Sequence, residues 1–144
     1  MRVRNRLFRY AVIPMALFAS LVATPHGHAE DGRNFSGFYE LSDVTDLGDT
    51  VSVTISLEIF NHRDAGVYDV ILTVRTSTGP EADLFTMTSP FIGSGESVLL
   101  SGDVVLPREE HKRWRQGISP MPYIDFSDVA GSRTTNLVEL VPGP

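Results

Sequence analysis

VSVTISLEIFNHRDAGVYDVILTVRT, residues 51–76, alternates apolar and polar side chains twice, with a polar reversal between the two runs. In the first run Val51, Val53, Ile55, Leu57 and Ile59 alternate with Ser52, Thr54, Ser56, Glu58 and Phe60. A period of two places one set in a core and the other toward solvent, which is the pattern of a half-buried β-strand. Tyr68, Val70, Leu72 and Val74 repeat it in the second run. Asn61, His62, Arg63, Asp64, Ala65 and Gly66 supply turn-forming residues where the chain must reverse.

Outward from this hairpin the same idiom continues. Short strands are expected over Phe35 to Val44, over Asp83 to Ile92 with Pro90 as an interruption, and over Ser97 to Leu106 with Gly102 as a bulge. Two more are expected over Tyr123 to Ser127 and Thr134 to Val141, separated by a turn at Asp128 to Ser132. About seven short strands without alternating amphipathic helices point to an all-β antiparallel sandwich. The expected core comprises Val53, Ile55, Leu57, Ile59, Tyr68, Val70, Leu72, Val74, Val98, Leu100, Val104, Leu106, Ile124 and Phe126.

One segment departs from strand character. Between Pro107 and Gly117 proline comes first, Glu109 and Glu110 come early, Lys112, Arg113 and Arg115 late, and glycine just past the end. Those preferences suit a short helix, because proline needs no amide partner in the first turn and the charges oppose the macrodipole. Such a helix suits a crossover between the fifth and sixth strands of a Greek-key sandwich.

The amino-terminal residues read as an export signal. Arg2, Arg4, Arg6 and Arg9 precede the 13-residue apolar run from Ala11 to Ala23, and TPHGHA follows up to Ala29, with small Gly27 at the minus-three position. The run contains Pro14 and falls short of the ~20 apolar residues a membrane-spanning helix needs. Cleavage is expected after Ala29, with Ala23 as the alternative, leaving residues 30–144 as one domain. That domain carries eight basic residues against eighteen acidic ones, a net charge of −10. Nucleic acid and stable membrane insertion after cleavage are not expected, since anionic polymers need clustered Lys and Arg. The chain has no cysteine, so neither disulfides nor lipoprotein attachment is available, and a bacterial exported protein of the periplasm or exterior is expected.

The run from Thr50 to Ser77, followed by GESVLLSGDVVLP at residues 95–107, resembles the immunoglobulin-like and fibronectin-type-III-like domains of bacterial exported proteins. The resemblance rests on a strand ending in an asparagine turn at Asn61 and on the turn Gly95-Glu96-Ser97-Val98 that opens a later strand. It implies an immunoglobulin-like β-sandwich, and a fold of that kind does not by itself imply a function. The chain departs from antibody-type domains in lacking the cysteine pair and a core tryptophan on the third strand.

Candidate sites follow from residue type. Trp114, flanked by Arg113 and Arg115, reads either as a stacking surface for a partner or as a ring closing the end of the sandwich. Phe60, Val67 and Ile71 form the expected outward apolar row, a second possible partner surface. Asp43, Asp46 and Asp49 recur every three residues in an oxygen-rich loop, the reading for calcium, although aspartates are also ordinary turn residues. Were the start at Thr24, His26 and His28 would offer imidazoles to copper or nickel, but Pro25 removes the amide that a terminal chelate needs. A hydrolase would need a serine, a histidine and a carboxylate assembled around His62 or His111, or acid–base work from Asp125 and Asp128. No nucleophile motif surrounds any of these. The sequence reading is therefore a non-catalytic, cofactor-free accessory or interaction module whose partner is another exported protein or a glycan. A periplasmic copper- or calcium-binding protein and a small hydrolase stand as its alternatives.

Overall fold

The computed structural model describes residues 34–77 and 82–144. The expected leader, with His26 and His28, lies outside the described residues. Eight strands and one helix follow in order: β1 (Phe35–Asp46), β2 (Thr50–Asn61), β3 (Val67–Arg75), β4 (Asp83–Ile92), β5 (Ser97–Pro107), α1 (Arg108–Arg115), β6 (Met121–Ser127), β7 (Arg133–Leu137) and β8 (Glu139–Pro142). They form two four-stranded sheets, ordered β5-β2-β1-β8 and β4-β3-β6-β7. The fold is an all-β sandwich. Neighbouring strands pair antiparallel except β1 and β8, which run parallel from Ser36↔Glu139 to Tyr39↔Pro142. Helix α1 carries the chain from β5 in one sheet to β6 in the other, the crossover expected from the sequence.

Strand β2 shows why alternation is a reliable guide in a strand hydrogen-bonded on both sides. Its burial alternates without a break from Thr50 to Asn61, and the inward Val53, Ile55, Leu57 and Ile59 are sealed from solvent. Strand β3 departs from the expected parity at its start. Val67 is buried and Tyr68 is 41% exposed, the reverse of the sequence reading. The cause is a bulge at Asp69, whose φ of 47° adds one unpaired residue before Val70 and shifts the β3–β6 register between Tyr68 and Ile71. One extra residue moves every side chain before it to the other face.

Three further expectations change. Gly102 makes no bulge, because the β2–β5 register runs unbroken from Thr50↔Pro107 to Phe60↔Ser97. Pro90 does not interrupt β4, which lies at a sheet edge where a missing amide costs no ladder bond on the open side. The segment expected as one strand from Thr134 to Val141 is two, β7 in one sheet and β8 in the other. Val138 sits between them, buried, with its amide donating to the Pro122 carbonyl at 3.0 Å. The chain thus closes the side of the sandwich by changing sheets.

The core runs between the sheets from Phe35, 5.2 Å from Phe126 by ring centroids, to Tyr39, Phe85 and Trp114. Eleven of the expected core residues are buried there, whereas Val98 and Val104 are only partly covered because β5 is an edge strand. Gly37 in β1 marks the tightest approach. A Cβ at that position would press into the Glu58 carbonyl oxygen and lie 2.9 Å from Leu140 Cδ2. Gly37→Ala is accordingly expected to cost about 1–3 kcal/mol of stability in urea unfolding, the range for overpacking. An unchanged midpoint would show that the β2 backbone at Glu58 and β8 at Leu140 both yield without penalty.

Candidate binding surfaces

Helix α1 is short and is held at both ends by backbone rather than by side-chain caps. Pro107 occupies the N-cap position with an extended ψ of 139° and no side-chain cap bond, one residue earlier than a helical proline. At the other end Gly117, at φ 85°, donates to the Trp114 carbonyl and Ile118 donates to the Arg113 carbonyl. That pair of bonds is the Schellman arrangement, which the left-handed glycine permits.

The inner face of α1 is built on Glu110 and Trp114, four residues apart and therefore stacked on one side of the helix. Trp114 is 1% exposed, its ring edge-on to Tyr39 at 6.3 Å and to Phe85 at 6.4 Å. Its Nε1 donates to Glu110 Oε2 at 3.1 Å. The same buried carboxylate accepts the Ser77 amide at 3.0 and 3.1 Å and the Ser77 hydroxyl at 2.9 Å, and lies 3.5 Å from Arg113. The Tyr39 hydroxyl donates to the Trp114 carbonyl at 2.7 Å, and burial pushes the Tyr39 phenol pKa above its ordinary value. Trp114 presents no face to a partner, because the helix packs its inner side into the open end of the sandwich. Arg113 is drawn to Glu110, and Arg115 is exposed.

The outer face of α1 borders a cleft of about 610 Å³ against the β1–β2 connection, lined by Val44, Asp46, Val51, Arg108, His111 and Arg115 among others. Arg108 ties the two walls together: its guanidinium pairs with Asp46, its Nε donates to the Gly48 carbonyl at 2.6 Å, and its amide donates to Asp49 at 3.0 Å. The Gly48 amide, then Arg108, hold the Asp46 carboxyl below the usual carboxylate range. Asp46 is thereby committed to the loop and the helix. Asp43, Asp46 and Asp49 belong to no metal-binding group, and among the described residues there is no cluster of three or more His, Asp or Glu that could hold an ion. His111 lines the same cleft, mostly buried, and its Nε2 meets no hydrogen-bond partner among the described residues. Burial, then Arg115 and Arg108, lower its pKa.

The expected outward row does not form a surface. Val67 is buried, and Phe60 and Ile71 lie on the outer faces of different sheets, on opposite sides of the sandwich. Phe60 instead joins a patch on the first sheet that sequence reasoning missed. Phe38 pairs with Val141 on one side and Glu58 on the other, and Glu58 pairs with Leu99, so these four make one outward row across the sheet. Phe38, Leu99 and Val141 are all exposed, Leu99 at 52%. Phe60 meets Phe38 edge to face at 5.9 Å and stacks on His62 at 6.2 Å. Cross-strand partners identify such a row only once the register is known.

His62 also shares a 2.5 Å hydrogen bond with the Ser36 hydroxyl. Both are exposed or half-exposed, and among the described residues no carboxylate bonds to the imidazole, so the pair lacks the group that orients a catalytic histidine. Asp125 accepts the Thr135 hydroxyl across the β6–β7 pair, while Asp128 accepts the amides of Ala130 and Ser132 at 2.9 Å in the next turn. Each is committed to local structure rather than to its neighbour. Trp114 with Glu110 was legible as a pair at helical spacing, a signal the sequence reading did not use.

No protein-family model matches the chain, and no curated protein matches it in sequence. Solved structures do resemble it. The GH20 exo-β-N-acetylglucosaminidase of Vibrio harveyi, in complex with N-acetylglucosamine, is similar over 76% of this chain and 18% of its own, at 11% identity and a TM-score of 0.49. A Northeast Structural Genomics Consortium target is similar over 78% of this chain and 86% of its own, at 10% identity and a TM-score of 0.44. A protein from Archaeoglobus fulgidus is similar over 69% and 86% respectively, at 14% identity and a TM-score of 0.32. The chain spans only 18% of the Vibrio harveyi enzyme's length, and at these identities no conclusion about enzymatic activity follows.

Proposed function

We propose that the chain is an exported, non-catalytic β-sandwich module of immunoglobulin-like or fibronectin-type-III-like kind that docks onto another exported protein. The observation that carries the docking is the outward row of Phe38, Leu99 and Val141, joined by Phe60, on a sheet whose other outward positions are mostly Ser, Thr and Glu. Grouped apolar side chains on a sheet face lower the free energy of a complex when a partner removes them from water. The fold kind is supported by the division of strands, with the first, second and fifth in one sheet and the third, sixth and seventh in the other, as in immunoglobulin-like sandwiches. Export is supported by the basic and apolar character of residues 1–29.

Site-specific cross-linking from Phe38 and Leu99 in the native envelope tests this reading. Phe38→Ser with Leu99→Ser is expected to weaken the captured complex by about 2 kcal/mol or more, the level of an interface hot spot, with the dichroism spectrum unchanged. Equal capture by the double variant, or turnover of ester or glycan substrates by the pure protein, would refute the reading. Mass spectrometry of the exported chain is expected to find Glu30 as its first residue.

A further inference from the structure

We propose that the cleft between α1 and the β1–β2 connection binds a phosphate monoester, with Lys112 and Arg115 holding the phosphate and Val44 and Val51 flanking the organic group. The helix places Arg108, His111, Lys112 and Arg115 at spacings of three and four, which puts all four along the cleft. Lys112 and Arg115 complement the helix macrodipole, but like charges so spaced also repel one another, a cost that a bound anion would relieve. The described residues carry only seven Lys and Arg in total, and four of them lie in α1. A cationic strip on so acidic a chain is a local reversal of field.

The charges in the strip differ in what they already do. Arg108 is committed to Asp46 and Gly48, whereas Lys112 and Arg115 have no acidic partner among the described residues. Two unpaired cations match the charge of a phosphate monoester, which carries about −1.5 to −2 at pH 7. Arginine offers that group a forked pair of donors and lysine a point charge. Gln116 adds a carboxamide at the rim, and His111 contributes a buried nitrogen without a partner. The volume of about 610 Å³ suits a small organic ligand rather than a bare ion. Among the described residues Glu109 is the one acid on the lining besides the paired Asp46.

Titration of the whole exported chain with phenyl phosphate, inorganic phosphate and phenol, followed by amide and imidazole NMR, tests the assignment. Phenyl phosphate is expected to bind, to shift residues 108–116, and to bind more tightly than inorganic phosphate, with phenol silent. Inorganic phosphate binding as tightly as phenyl phosphate would overturn the role of Val44 and Val51. Lys112→Gln and Arg115→Gln, both at exposed positions, are each expected to weaken phenyl phosphate about tenfold, the loss of one charge-assisted contact. The charged groups that line the cleft with His111 are Arg108, Glu109, Lys112 and Arg115 on its helix and Asp46 on the opposite wall, and of these Arg115 and Arg108 lower its pKa. A bound dianion offsets the cations among them, so the His111 pKa is expected to rise when phenyl phosphate is present. No shift at millimolar ligand, or equal binding by the two variants, would overturn the proposal. The site uses none of the apolar row on the first sheet, so the two assignments fail separately.

Discussion

Trp114→Ala is expected to destabilise the protein by about 3–5 kcal/mol, the cost of emptying a large aromatic site in a packed core. The ring is 1% exposed and wedged between Tyr39 and Phe85, and among the described residues no second helix exists that could close over the gap. Loss of the indole also takes a donor from the buried Glu110 carboxylate, which then relies on Ser77 and Arg113. Trp114→Phe separates the two effects. It keeps most of the volume but not the N–H, and is expected to cost about 1–3 kcal/mol for the unsatisfied acceptor. Each kcal/mol moves Tm by about 4–8 °C in domains slightly smaller than this one, so calorimetry resolves the two variants. A shift for Trp114→Ala no larger than that for Trp114→Phe would mean that the ring fills no essential space.

Legibility of the fold follows the range of the interactions that decide it. Strand β2 was readable because its neighbours on both sides bury alternate residues, so local periodicity and tertiary environment agree from Val51 to Ile59. The start of β3 was not, since Asp69 adopts a left-handed φ that composition does not announce, and one inserted residue exchanges Val67 with Tyr68. The change of sheet at Val138 was equally silent, because apolar residues on both sides of it fit one strand as well as two. Sites were harder still. The cleft depends on Arg108 meeting Asp46 across 62 positions, and the outward row on a register linking Val141, Phe38, Glu58 and Leu99 from four strands. Trp114 offered two readings in sequence, and its environment is made by Tyr39 and Phe85 from two distant strands and by Glu110, which Ser77 holds from a third part of the chain.

Asn61→Asp is the second large expected effect, and it carries a pH signature. Asn61 ends β2 with no exposure, and its amide nitrogen lies within hydrogen-bond distance of the carbonyls of Ala65, Ile92 and Gly93 at 3.0, 3.1 and 3.1 Å. Its side-chain oxygen accepts the Arg63 amide at 3.0 Å, so the residue ties the β2–β3 turn to the end of β4. Asn61→Ala removes these partners at about 1–3 kcal/mol for each buried group left unsatisfied, giving a loss of roughly 3 kcal/mol or more. Asn61→Asp keeps the shape but turns acceptor oxygens toward carbonyl oxygens. Burial and those carbonyls raise the folded-state pKa of the introduced carboxyl above its unfolded value of about 3.9. The folded state then binds more protons than the unfolded one, so stability falls as pH rises above about 4, until the folded group also ionises. Relative to Asn61→Ala, the aspartate variant is therefore expected to be the less stable at pH 7 and to recover toward pH 4, where its neutral carboxyl again donates one hydrogen bond. Urea unfolding of both variants across that range measures the difference directly, and a difference independent of pH would mean that the carboxylate escapes to water and that the turn does not enclose position 61.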